Sequence, residues 1–139
     1  MKVFMMQVFL SYAESDEPVA RRVAAGLEKA NLKVWYDHLI PAGMNWADEI
    51  AKALRESRAM VVLLTPAALR STKVRREIEY ALGDETYSHR LVPVIVGPPE
   101  KLPKKDIPWI LQSFKMVNLP ESGSPDKEIR EIAETLKAA

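Results

Sequence analysis

Glu77 is one of 19 carboxylates in the chain, set apart by its place in the run Val74-Arg75-Arg76-Glu77-Ile78-Glu79-Tyr80-Ala81-Leu82. At about 100° per residue it lies roughly 60° from Val74, on the flank of the apolar stripe formed by Val74, Ile78, Ala81 and Leu82. A carboxylate there stands at the rim between core and solvent. The same spacing suits a solvated helix glutamate paired with Lys73, Arg70 or Arg76, a pairing worth about a few tenths of a kcal/mol. Other reactive types are scarce. There is no cysteine, which excludes a disulfide framework, a thiolate metal site and a cysteine nucleophile. His38 and His89 are too few for most zinc sites, and no metal is expected. Both read as surface loop residues, His38 being nearer a ligand because it follows Asp37 at a strand end.

The elements that must position these residues alternate along 139 residues, the size of one domain. Gln7–Ser11, starting as early as Val3, is a continuous apolar run of the kind covered on both faces of a sheet. Ser15-Asp16-Glu17-Pro18 starts a helix, Val19, Val23, Leu27 and Ala30 recur at helical spacing, and Asn31 suits a left-handed cap. Lys33–Asp37 is a second strand. Asn45, with Asp48 three residues on, caps a helix whose stripe is Ala47, Ile50, Ala51 and Leu54. Ala59–Leu64 is a buried strand, ended by Thr65-Pro66, and the Glu77 helix follows. Leu91–Val96 is a fourth strand, with Pro93 awkward for a central position because it removes a ladder donor. Prolines 98, 99, 103 and 108 predict a long loop with at most one short turn at Ile107–Leu111. Phe114–Leu119 is an edge strand, with Trp109 and Phe114 covering the edge. Ser124-Pro125-Asp126 starts a last helix that turns Ile129, Ile132, Ala133 and Leu136 inward.

Repeated strand–helix units imply an α/β, flavodoxin-like three-layer sandwich with a central five-stranded parallel sheet flanked by helices. Ligands of such sheets bind beyond the carboxyl ends of the strands. Those ends are Ser11–Ser15, Asp37–Met44, Thr65–Thr72 and Gly97–Pro99. None of the five glycines follows the first strand, so neither a dinucleotide fingerprint nor a phosphate-cradling loop is present. No Gly-x-Ser-x-Gly elbow occurs. Ser11 and Thr65 stand where a receiver domain would carry its acidic pair and phosphoacceptor aspartate. A net charge of +1 argues against direct nucleic-acid binding. No apolar run approaches membrane-spanning length, and Met1–Gln7 has no signal-peptide plan. The expectation is one cytoplasmic domain over residues 1–139.

Val8-Phe9-Leu10-Ser11-Tyr12-Ala13-Glu14-Ser15-Asp16 resembles the first signature box of Toll/interleukin-1 receptor (TIR) domains. Val34-Trp35-Tyr36-Asp37, Gly43 and Trp46-Ala47-Asp48-Glu49-Ile50 resemble the second strand, BB loop and second helix of bacterial TIR domains. Ser57-Arg58, Val61–Pro66, Val74–Leu82 and Val92–Ile95 match the next elements in order, and residues 8 to 97 carry the likeness.

The resemblance implies one of two functions. Many TIR domains are NAD+ hydrolases or cyclases, and others only assemble as adaptors. In the enzymes an essential glutamate maps onto Glu77, with NAD+ as substrate and no cofactor. Nicotinamide leaves a cationic pyridinium as a neutral base, so no acid is needed and one carboxylate can stabilise the oxocarbenium charge. Trp46 matches an aromatic that walls the pocket in relatives; its other reading is a core or staple aromatic at a helix start. Ala13, Glu14 and Ser15 fill a loop that contacts phosphates or ribose, where some relatives have arginines. Lys73 stands where several relatives place a base-stacking tryptophan. Ser11 joins the substrate-binding set; Tyr12 and Asp37 read as structural hydrogen-bonding residues at strand ends. Gly43, in the exposed apolar loop Ile40–Met44, suits self-association or a pocket lid. Partners implied are NAD+, other TIR domains and a sensor module, in innate-immune or antiphage signalling. A nucleoside 2-deoxyribosyltransferase-like enzyme is the remaining reading.

Overall fold

Residues 8–10 and 59–64 alternate strictly between two apolar environments, and this period of two makes the sheet the middle layer. Val8, Leu10, Ala59, Val61 and Leu63 face one side, and Phe9, Met60, Val62 and Leu64 the other. The computed structural model describes residues 4–120 and 123–138; the suggested start at Val3 lies outside them. The strands are β1 (Gln7–Ser11), β2 (Lys33–Trp35), β3 (Ala59–Leu64), β4 (Leu91–Val96) and β5 (Val117–Leu119). They form one parallel sheet in the order β2-β1-β3-β4-β5.

Helices α1 (Glu17–Lys29) and α5 (Asp126–Ala138) cover one face through Val23, Leu27, Ile132 and Leu136. Helices α2 (Trp46–Glu56) and α4 (Thr72–Leu82) cover the other through Ile50, Leu54, Val74 and Ile78. The three-layer, flavodoxin-like arrangement is the expected one. Asn31 ends the first helical unit at φ 71°, and Asn45 accepts the Asp48 backbone N–H at 3.0 Å as an N-cap.

Several details differ from the sequence reading. The helix before Glu77 is broken: a short α3 (Pro66–Leu69) is capped by Thr65, and α4 restarts at a cap on Ser71. Leu82 is exposed rather than inward, because the stripe has turned away by the last residue of α4. The second strand stops at Trp35, and Asp37–Leu39 form a 3₁₀ turn. The one short turn expected at Ile107–Leu111 lies at Trp109–Ser113, and two further 3₁₀ turns, at Pro99–Lys101 and Lys104–Asp106, stand where only loop was expected. Trp109 is 80% exposed and covers nothing, whereas Phe114 packs partly buried against the core.

Pro93 sits in an interior strand without penalty. The Arg90 carbonyl accepts from Met60 on the β3 side and the Gly97 N–H donates to Leu119 on the β5 side. Alternation therefore points the Pro93 nitrogen toward β5, one residue before the first β4–β5 pair at Val94.

Candidate functional site

The chain leaves β1 for β2 on one side and then crosses to β3 on the other, so strand order reverses at the carboxyl ends of β1 and β3. Ser11 ends β1 there, fully buried. Its hydroxyl donates to Glu77 Oε1 at 2.6 Å, tying the strand end to the second turn of α4. Glu77 is only 4% exposed. The rim position expected from the helical wheel is thus too shallow: β1 lies against that flank of α4 and encloses the carboxylate. Pairing with Arg70, Lys73 or Arg76 as a solvated surface glutamate is likewise not what the side chain does.

Burial pushes the Glu77 carboxyl up to about 7 from an ordinary 4.5. Lys73 and the Ser11 hydrogen bond pull the other way without winning, and Asp37 adds to the rise. Lys73 itself does not bond Glu77. Its ammonium sits 2.7 Å from Asp37 Oδ2 and 5.0 Å from the centre of the Tyr12 ring. The other Asp37 oxygen accepts the Tyr12 hydroxyl at 2.6 Å. Burial, then Asp37, raises the Tyr12 phenol well above its usual range, so it stays protonated as a donor. His38 follows, its Nδ1 2.5 Å from Glu17 Oε1 and its Nε2 2.7 Å from Arg21 Nη2. The imidazole thus bridges the Glu17 carboxylate and the Arg21 guanidinium through its two ring nitrogens.

Two cavities flank this cluster. One of about 390 Å³ opens above β1 and β2 between Tyr12, Glu14, Asp37 and His38. The other, about 360 Å³, lies between α2 and α4 along Ile50, Leu54, Thr72, Arg76 and Glu77. Trp46 and Lys73 line both and form the divide between them. A larger cavity of about 450 Å³, between α1 and α5, lies on the opposite face of the sheet from Glu77 and holds none of these residues.

The structure therefore brings Ser11, Glu14, Trp46, Lys73 and Glu77 together. Ala13 is buried beside them in the core, Ser15 is exposed on the 3₁₀ turn Glu14–Asp16, and Gly43 is exposed on its loop at φ 86°. None of those three lines either cavity. Trp46 is 49% exposed, which rules out the core-aromatic reading. Tyr12 and Asp37 do make strand-end hydrogen bonds, but they also line the cleft, as do His38 and Arg76. The signal for Tyr12, Asp37 and His38 was their place at strand ends; nothing in the sequence marked Arg76 apart from its charge.

A family model for the TIR domain matches residues 8–136, and the chain belongs to the TIR-domain family. No curated protein matches it. Among solved structures it is similar to a metazoan TIR-STING receptor from C. gigas in complex with 2′,3′-cGAMP, with a TM-score of 0.74 at 20% identity. That match covers 96% of this chain and 40% of the receptor chain, so the chain spans well under half of that relative. The TIR domains of the activated Roq1 resistosome, recognising the pathogen effector XopQ, match at 0.68 and 19% identity over 93% of this chain and 98% of theirs. The TIR domain of the Toll-related receptor TRR-2 from Hydra magnipapillata matches at 0.64 and 19%, covering 91% and 90%. At these identities the likeness is one of fold. Among the described residues no helix is long and apolar enough to cross a membrane.

Proposed function

We propose that this TIR domain cleaves NAD+ at the nicotinamide–ribose bond, releasing nicotinamide and ADP-ribose or a cyclic isomer, with Glu77 as the catalytic carboxylate. One observation carries the reading: a carboxylate enclosed at the switch in strand order, held by Ser11, at the edge of a cleft walled by a half-exposed tryptophan. Surface glutamates are not held this way. In the reaction the bond from ribose C1′ to the pyridinium nitrogen breaks, and its electron pair leaves with neutral nicotinamide. The ionised Glu77 carboxylate balances the positive charge that develops at C1′. Water then adds at C1′ and gives up a proton; in a cyclase an adenine nitrogen or a ribose hydroxyl takes the place of water. Trp46 is the flat apolar wall, Ser11 aims the carboxylate, and Glu14 and Lys73 meet the polar parts of the substrate.

Self-association belongs to the same proposal, since one structural neighbour is part of an assembled resistosome and the loop before α2 exposes Met44 beside Trp46. A single cytoplasmic TIR domain, coupled to a sensor module in defence signalling, is the setting this reading fits. The same exposed apolar loop favours a second reading, a non-catalytic adaptor that docks other TIR domains.

Incubating the concentrated chain with NAD+ and separating products by chromatography distinguishes them. Glu77→Gln keeps size and hydrogen-bond acceptance but removes charge. Turnover should fall by about two orders of magnitude or more, about 2.7 kcal/mol, while NAD+ still binds. Equal rates in wild type and variant would remove Glu77 from the chemistry; no cleavage by either protein, concentrated or crowded, would leave the adaptor.

A further inference from the structure

Lys73 and Glu77 are four residues apart on α4, the spacing at which a lysine and a glutamate ordinarily pair. In this structure they do not. Lys73 turns toward the end of β2, where Asp37 receives it on one oxygen and Tyr12 on the other. Both Lys73 and Asp37 are largely shielded, at 20% and 21% side-chain exposure, so this is not a casual surface contact. The ammonium is also held over the Tyr12 ring.

We infer that Asp37 is a positioning residue that holds Lys73 away from Glu77, keeping the enclosed Glu77 carboxylate free of a lysine partner at the edge of the cleft. The inference rests on the reading of Glu77 as the reactive carboxylate. A Lys73–Glu77 ion pair would neutralise the charge meant for the ribose and place an ammonium across the approach to it. Asp37 prevents this by offering the nearer partner, and Tyr12 fixes the orientation of Asp37. Lys73 then stands on the divide between the two cavities, facing whatever enters them. The groups acting on Glu77 are few. Lys73 comes from its own helix, Asp37 from beyond β2 and the Ser11 hydroxyl from β1. Strand β3 contributes only apolar side chains, as does the α2 wall at Ile50, Ala51 and Leu54, and Arg76 lines the same cavity.

Asp37→Asn tests this with little change in shape, since the amide oxygen can still accept from Tyr12. The direct measurement is the Glu77 carboxyl titration, followed by carbon-13 NMR with glutamate labelling and assigned by its absence in Glu77→Gln. With Asp37 neutral, Lys73 should swing to Glu77, and the Glu77 midpoint should fall by about one pH unit or more. Adding Lys73→Met to Asp37→Asn should return the midpoint to the wild-type value or above it, and Lys73→Met alone should raise it. NAD+ turnover of Asp37→Asn should fall roughly tenfold or more, with kcat affected more than KM. A Glu77 midpoint unmoved by Asp37→Asn, or lowered equally in the double variant, would overturn the inference. The titration reads the clamp whether or not the chain cleaves NAD+, so failure of the proposed activity and failure of the clamp give different results.

Discussion

A carboxylate that is 4% exposed and titrates near 7 ties chemistry to stability at one residue. Between pH 4.5 and 7 folded Glu77 keeps a proton that the unfolded chain has released, so its contribution to stability falls as pH rises through that window. The amide of the Glu77→Gln variant has no proton to release there. Relative to wild type, Glu77→Gln should therefore gain about 2 kcal/mol between pH 5 and pH 8, because the other titrating groups are common to both proteins. Urea unfolding at the two pH values measures this, and a constant gap would mean that Glu77 ionises like a surface carboxylate. If the ionised form does the chemistry, kcat/KM should rise through about pH 7 and level above it. Trp46 makes the opposite case. At 49% exposure its truncation leaves no core cavity, so Trp46→Ala should change stability by about 0.5 kcal/mol or less while raising KM or lowering turnover. Thermal melts beside kinetics decide it, and unchanged kinetics would take Trp46 out of the wall.

At the scale of elements, tight contacts show what the sequence could and could not reveal. A Cβ added at Gly26 on α1 would lie 2.5 Å from Ile129 Cγ2 on α5. That methyl belongs to a β-branched side chain with one preferred helix rotamer, so the helices must part. Gly26→Ala should destabilise by about 1–3 kcal/mol, despite the better helix propensity of alanine, and should be neutral or stabilising in an Ile129→Ala background. Chemical denaturation of the four proteins checks the cycle. Such a contact leaves no trace in local pattern, whereas periodicity does. Strand β3 and the buried face of α5 were legible to the residue, because six consecutive apolar residues or an unbroken 3.6-residue stripe admit few alternatives. On α1 the stripe gave Val23 and Leu27, but Ala20 and Ala24 are buried where Val19 and Ala30 are only partly so. The break between α3 and α4 was not legible, because Arg70 and Ser71 carry no proline or glycine to announce it. The two further 3₁₀ turns after β4 hid among prolines that signal only irregularity. Ser11, Trp46, Lys73 and Glu77 could be named from the family's boxes. That Ser11 holds Glu77, and that Lys73 prefers Asp37, follows from how β1, β2 and α4 meet, which spacing along one helix does not encode.

For the whole molecule, the question is whether one copy suffices. A net charge of +1 offers little mutual repulsion between copies. Leu39, Met44 and Trp46 are each about half exposed, flanking the loop that leads into α2, and Trp46 also lines the cleft beside Glu77. A second copy seated on that loop would cover apolar surface and close the cleft together. Gly43 is the residue that sets the loop's path: its φ of 86° is closed to proline, and no atom lies within 4 Å of where a Cβ would be. Gly43→Pro should therefore redirect the loop without disturbing core packing, leaving the unfolding transition nearly unchanged. If assembly completes the site, wild-type turnover per chain should rise with protein concentration, and Gly43→Pro should both sediment as a smaller species and lose that rise. Sedimentation velocity and turnover measured over the same concentration series give the answer. Constant turnover per chain in the wild type, with a Gly43→Pro variant that sediments and reacts alike, would place the complete site within a single copy.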